Sequence, residues 1–119
     1  MNTNPDSPAQ KQPLSEATYF ILLSLSPVPK HGYAIMKDVQ AMSDGRVKLG
    51  TGTLYGVIKR LLAHGWIEPV EESHTLSNRR NRKAYTLTKL GRSLLDFEIN
   101  RLQNLVQAAK YQTAKEQPR

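Results

Sequence analysis

The side chains best suited to binding another molecule are concentrated between Thr51 and Gly65, where the sequence reads TGTLYGVIKRLLAHG. A helix through this stretch has an apolar face made of Leu54, Val57, Ile58, Leu61, Leu62 and Gly65. Its opposite face is small, aromatic or basic and consists of Gly52, Tyr55, Gly56, Lys59, Arg60 and Ala63. Hydroxyl and cationic groups beside short side chains are typical of a helix that approaches nucleic acid. An ordinary amphipathic helix with two solvated cations is the alternative.

The ends of this helix are also marked in the sequence. Thr51 is of a residue type that caps helices, and Gly65 is of the type that stops them. We therefore predict a helix over residues 51–65, with Thr51 as its N-cap.

Other residue types with chemical potential do not form a catalytic or metal-binding pattern. His31, His64 and His74 are widely separated and lack a second ligand at metal spacing. Glu71 and Glu72 are adjacent, so on a strand they would face opposite sides. The sequence has no cysteine, which excludes thiol catalysis and disulfides. We expect no enzyme activity, no metal and no cofactor.

The net charge of +7 is confined to one part of the chain. Between Arg46 and Arg92 there are ten cations and three anions, whereas seven of each occur elsewhere. This excess lies on the basic helix and the segment after it, as expected of a protein that neutralises phosphates. A membrane is a poorer partner because the basic segment has no exposed apolar face.

The length of 119 residues is that of one compact domain. The sequence contains no apolar run long enough to span a membrane and no signal-peptide pattern, so we expect a cytoplasmic protein. Residues 1–13 hold three prolines among polar residues and are predicted to be a disordered tail.

Two further helices precede the basic one. Ser15 is a predicted N-cap for a helix that ends near Leu25, before Pro27 and Pro29. A second helix is predicted over roughly 32–43, followed by an Asp-Gly turn. Three short helices of which the third is exposed and basic form a helix-turn-helix pattern.

A two-stranded hairpin is predicted next, from residues 66–72 and 83–88. Pro69 indicates that the first strand lies at an edge of the sheet. The connecting segment is polar and basic, so the hairpin has the character of a wing whose cations lie near a phosphate backbone or minor groove. These cations are Arg79, Arg80, Arg82 and Lys83. A solvated loop that only aids solubility is the alternative.

A final helix is predicted over residues 89–111. Its apolar residues follow spacings of four and three, which is the seam of a helix pair, and they are Leu95, Ile99, Leu102, Val106 and Ala109. A second chain is the expected partner of this seam, and packing back on the first helix is the alternative. The predicted organisation is a DNA-binding domain over 14–88, a dimerisation helix over 89–111 and a disordered tail over 112–119.

The sequence resembles the PadR family of bacterial winged-helix transcriptional regulators. The resemblance is carried by HGYAIMKDVQ (31–40), RVKLGTGTLYGVIKRL (46–61), GWIE (65–68) and RKAYTLTKLGRSLL (82–95). It implies a mostly α fold with a small β-hairpin wing, a winged helix-turn-helix joined to a C-terminal dimerisation helix. It also implies a homodimer that represses transcription by binding a pseudo-palindromic operator in double-stranded DNA.

The resemblance places the start of the basic helix nearest the major groove. The predicted DNA contacts are Lys48, Thr51, Gly52, Thr53, Tyr55, Lys59, Arg60 and the four wing cations. Tyr55 either donates to a phosphate or packs against the wing, and Arg46 either contacts DNA or pairs with Asp44. Which of Lys59 and Arg60 reads a base is left open, as are the existence and identity of a small-molecule effector. The alternative function is a winged-helix module that docks on an acidic protein.

Overall fold

The computed structural model describes residues 13–71 and 83–115. The described elements, in chain order, are α1 (Glu16–Leu25), β1 (Lys30–His31), α2 (Gly32–Met42), α3 (Thr51–His64), β2 (Ile67–Val70), β3 (Ala84–Leu87) and α4 (Lys89–Lys115). The mostly helical fold with a small sheet and a C-terminal helix confirms the predicted fold class. No helix in the described ranges has the length and apolar character needed to cross a membrane.

The three N-terminal helices form where the sequence predicts them. Ser15 is the N-cap of α1, and its hydroxyl oxygen accepts a hydrogen bond from the Thr18 amide at 3.1 Å. The inner faces of the helices meet the strands and α4 in one core, whose fully buried side chains include Ile21, Leu22, Ile35, Val39, Leu54, Ile58, Leu61 and Leu94. Burial of these apolar side chains fixes which face of each helix is turned outward.

The sheet has three strands in the order β1-β3-β2, all antiparallel, rather than the two that the hairpin pattern predicts. The added strand has only two residues, in which Lys30 pairs with Tyr85 and His31 with Ala84. A segment this short shows no period of its own, so only the packed chain reveals its pairing. β2 lies at an edge of the sheet, as Pro69 indicates.

The sheet and α4 are joined at a tight crossing. The hydroxyl of Thr88 donates to the Gly65 carbonyl at 2.6 Å and accepts from the Gly91 amide at 3.0 Å, which caps α4. Gly91 is buried against the backbone of Trp66, and a Cβ on Gly91 would overlap the Trp66 carbonyl oxygen and lie 2.8 Å from its carbon. Only a residue without a side chain fits there.

The last helix continues to Lys115, four residues beyond its predicted end, so residues 112–115 are helical and not part of a disordered tail. Glu98 is buried where α4 leaves the core, with 5% of its surface exposed. Its carboxylate accepts from Arg101 Nε at 2.9 Å and Nη2 at 2.7 Å, and from the Leu14 amide before α1. The hydrogen bonds from Arg101 hold the pKa of Glu98 below its usual range although burial opposes them.

We predict that Gly91→Ala lowers the free energy of unfolding by about 1–3 kcal/mol or more. The backbone atoms of Trp66 cannot rotate away from the added methyl group. Gly56→Ala in α3 is the matched control because its Cβ would meet no atom within 4 Å. The control should be neutral or stabilise by up to about 1 kcal/mol. Urea denaturation of both variants measures the difference, and equal effects would contradict the close crossing.

We predict that Glu98→Gln is less stable than the unaltered chain near neutral pH, with a difference that disappears in acid. A carboxyl whose folded-state pKa is lowered contributes stability above its unfolded value, here near 4.5, and loses it as the pH falls through the folded value. Glutamine resembles the protonated carboxyl, so the two unfolding curves should begin to converge as the pH falls below 4.5 and should coincide below the folded-state pKa. Denaturation at a series of pH values tests this, and a difference independent of pH would contradict it.

Candidate nucleic-acid interface

The position of α3 is set by one buried stripe and two glycines at its ends. Leu54, Val57, Ile58 and Leu61 are buried, as predicted. Gly65 ends the helix in the left-handed conformation, with φ of 77° and its amide bonded to the last turn. The predicted cap is wrong: Gly50 is the N-cap, extended and with its carbonyl accepting from the Leu54 amide at 2.9 Å, and Thr51 is the first helical residue.

The outer face of α3 is exposed along its whole length, in agreement with the amphipathic pattern. Every residue that the sequence assigns to this face is exposed, together with Thr51 and Thr53 at the helix start. Within the described part of the chain, no carboxylate forms an ion pair with Lys59 or Arg60. The first turn contains no acidic residue. The face therefore presents uncompensated positive charge and hydroxyl donors to an external partner.

Tyr55 lies between the helix start and the neighbouring elements. The hydroxyl end of its ring packs against Gly32 at the start of α2, where a Cβ would be 2.8 Å from Tyr55 Cζ. Burial raises the pKa of Tyr85 in β3, and the nearby Tyr55 raises it further by a smaller amount. Tyr55 nevertheless keeps 45% of its surface exposed. The Tyr55 side chain thus packs against Gly32 and is also accessible to an external partner.

The cations before α3 differ in their availability. Arg46 forms an ion pair with Glu16 of α1 and not with Asp44, so its charge is compensated. Lys48 is exposed and forms no ion pair with another described residue. Of these two cations, Lys48 is the one left to extend the positive surface of α3.

The wing is described at its strands. Lys83 is exposed immediately before β3. The other predicted wing cations, Arg79, Arg80 and Arg82, lie outside the described residues, as does His74.

The predicted dimer seam on α4 is divided by the structure. Leu95 is buried in the chain's own core at 2% exposure, so the prediction that it meets a second chain is wrong. This outcome favours packing on the first helix for that part of the seam. Ile99 and Leu102 are half-buried, and with Val106 they border an open groove whose other wall includes Tyr19 of α1. Val106 and Ala109 are exposed, and so are the neighbouring apolar side chains of Leu105 and Tyr111.

Two observations concern the chemistry of the remaining side chains. Among the described residues, no group of three or more histidine, aspartate or glutamate residues could hold a metal ion. The imidazole of His64 stacks on the Trp66 ring at 4.5 Å, at the end of α3 remote from its first turn.

Sequence reasoning missed an aromatic–cation pair on the outer face of α2. Lys37 Nζ lies 5.6 Å from the centre of the Tyr33 ring. The spacing of four residues on the face away from the core is the signal that could have revealed this pair.

Comparison with known proteins gives a family for this arrangement. The family model described as the transcriptional regulator PadR-like family matches residues 21–96, which is more than half of the chain. Because that family consists of transcriptional regulators, the match confirms the resemblance and the expectation that the chain is not an enzyme.

Individual relatives are similar over much of this chain. A 37.1 kDa protein in transposon TN4556 of Streptomyces fradiae is 34% identical over 91 residues, which are 76% of this chain and 24% of that protein. The chain thus spans about a quarter of this relative's length. The crystal structure of a PadR family transcription regulator from Clostridium difficile covers 82% of this chain and 97% of its own, with a TM-score of 0.67 and 24% identity.

A structure of Bacillus subtilis PadR in complex with operator DNA has a similar fold. It covers 74% of this chain and 48% of its own, with a TM-score of 0.58 and 23% identity. On the family match and the fold together, this chain belongs to the PadR-like family of transcriptional regulators.

Proposed function

We propose that the chain acts as a homodimer that binds a pseudo-palindromic operator and represses transcription. In this proposal α3 enters the major groove, and the wing cations contact the backbone or the minor groove. The observation that carries the proposal is the outer face of α3, where Lys59, Arg60 and Tyr55 are exposed and the two cations are free of carboxylate partners among the described residues.

The dimensions and chemistry of that face suit B-form DNA. A major groove about 12 Å wide admits an α-helix, and arginine or lysine can bond the O6 and N7 atoms of guanine. Gly52 at the helix start and the hydroxyls of Thr51 and Thr53 leave room for close approach to the backbone. The determination of the Bacillus subtilis relative with operator DNA supports the same partner for this chain.

The dimer is supported by the exposed half of α4. Val106 on the predicted seam and Leu105 beside it have 52% and 54% of their surface exposed, although the seam begins in the core. A second copy that covers this stripe would remove it from water and give a two-fold axis. Two recognition helices related by that axis would meet half-sites about 34–36 Å apart, one helical turn.

Repression follows when such a dimer occupies an operator that overlaps a promoter, because polymerase cannot then bind the same DNA. A protein that acts on chromosomal operators works in the bacterial cytoplasm, which we include in the proposal. Under this proposal, selection from a random duplex library should enrich a two-fold symmetric sequence. Recovery of no enriched sequence would instead favour docking on an acidic protein partner.

We predict that Lys59→Ala combined with Arg60→Ala weakens operator binding by about 1–3 kcal/mol for each base that the variant no longer reaches. The slope of log affinity against log salt should also fall by about 0.9 for each phosphate that is no longer neutralised. Fluorescence anisotropy with the selected duplex at several salt concentrations measures both quantities. Lys115→Ala removes a positive charge from the exposed end of α4, away from the seam, and should leave both unchanged. Unaltered binding by the α3 variant would refute the recognition-helix assignment.

We predict that Leu102→Asp and Val106→Asp each convert the dimer to a monomer, because each places a carboxylate in the apolar seam. Analytical ultracentrifugation measures the mass. Val106 is 52% exposed in the single chain, so its replacement leaves the core intact. Asn100→Asp is the control, since Asn100 is an exposed residue of α4 that lies off the seam. Dimeric mass for both seam variants would show that the interface lies elsewhere.

A further inference from the structure

The outer face of α2 carries an aromatic–cation pair that the predicted interface does not include. Tyr33 has 66% of its surface exposed, and Lys37 follows it by one helical turn. The Lys37 ammonium lies 5.6 Å from the centre of the Tyr33 ring, within the range of a cation–π contact. A phenol hydroxyl and a cation therefore lie together on this exposed face.

The charge of Lys37 is left uncompensated on this helix. The other charged residue of α2 is Asp38, whose carboxylate is paired with Lys30 and accepts from the Ser24 hydroxyl at 2.8 Å. The hydrogen bond from Lys30 holds the pKa of Asp38 below its usual range, so Asp38 is ionised and engaged with β1 and α1. Asp44 borders the same shallow depression as Lys37 but forms no ion pair with it. Lys37 is therefore available to an external anion.

The pair is continuous with the start of α3. Gly32, which precedes Tyr33, is the residue against which the Tyr55 ring packs. The contact is close, since a Cβ added to Gly32 would lie only 2.8 Å from Tyr55 Cζ. Exposed Tyr33 and half-exposed Tyr55 thus come from adjoining parts of one surface. An external molecule bound at the start of α3 would therefore also lie beside the start of α2.

We propose that Tyr33 and Lys37 bind a phosphate of the operator backbone beside the groove that α3 enters. This inference rests on the proposed operator binding. Lysine ammonium and tyrosine hydroxyl groups are common donors to DNA phosphates, and such contacts fix position without reading sequence. In helix-turn-helix proteins the helix before the recognition helix crosses the backbone, which is the place of α2 in this chain. The pair sets how α3 is aligned in the groove.

The chain itself contains a matched control for this pair. Tyr111 and Lys115 on α4 have the same spacing of four residues, with the ammonium 5.3 Å from the ring centre. Tyr111 has 67% of its surface exposed, against 66% for Tyr33. Substitutions in the two pairs therefore remove the same groups from the same kind of helical surface, at different places in the fold.

The test compares Lys37→Ala and Tyr33→Phe with Lys115→Ala and Tyr111→Phe by fluorescence anisotropy, using the selected operator and a scrambled duplex at several salt concentrations. Lys37→Ala should weaken binding to both duplexes by a similar factor, roughly three- to tenfold, and reduce the salt slope by about 0.9. Tyr33→Phe should weaken both by roughly threefold with little change in slope, because it removes a hydroxyl donor and no charge. The α4 variants should bind as the unaltered chain does.

Three results would overturn the inference, and they differ from failure of the proposed function. If the unaltered chain binds the operator with a steep salt slope and Lys37→Ala keeps that slope, α2 does not contact a phosphate. If Lys37→Ala weakens binding to the operator alone, the contact is to a base. If the α4 variants weaken binding equally, the effect reflects net charge. Absence of salt-dependent binding by the unaltered chain would refute operator binding itself.

Discussion

Burial of the apolar stripe of α3 is the constraint on which the candidate interface depends. Leu54, Ile58 and Leu61 have at most 2% of their surface exposed, so the helix cannot rotate about its axis without exposing them. Its basic and hydroxyl-bearing face is consequently fixed outward. The specificity of such a helix for DNA would come from this fixed orientation, since hydrogen bonds to base edges require side chains that start from a defined position. Gly65 ends the helix in a left-handed turn and leads the chain directly into the edge strand.

The crossing of Trp66, Thr88 and Gly91 relates that helix to α4. Thr88 bonds both the end of α3 and the first turn of α4, and Gly91 lets the two backbones meet. Glu98 then ties α4 to the start of α1 through the Leu14 amide. A helix that is anchored at these points transmits its direction to the exposed half that we propose as the dimer seam. The separation of two recognition helices in a dimer would therefore be set by contacts inside each chain.

Charge is distributed so that structural and surface roles fall on different residues. Arg46 and Lys30 are cations of the basic chain that serve the fold, because each pairs with a carboxylate of another element. Lys59, Arg60 and Lys48 have no such partner among the described residues and remain on the surface. Net charge alone does not distinguish these two groups. Only the positions of Glu16 and Asp38 in the folded chain show which cations are available to phosphate.

The sequence by itself determined the helices, the edge position of β2 and the outer face of α3, because local periodicity and residue type decide which face of a helix is buried. It also carried the family resemblance that the comparisons confirm. Tertiary structure decided what depends on contacts between distant segments. Lys30 and His31 pair with β3 and form a third strand. Leu95 is buried in the core, and Arg46 pairs with Glu16 and not with Asp44. A one-dimensional pattern contains no information on those distances, so the division of α4 between core and exposed seam appears only once α1 is packed against it.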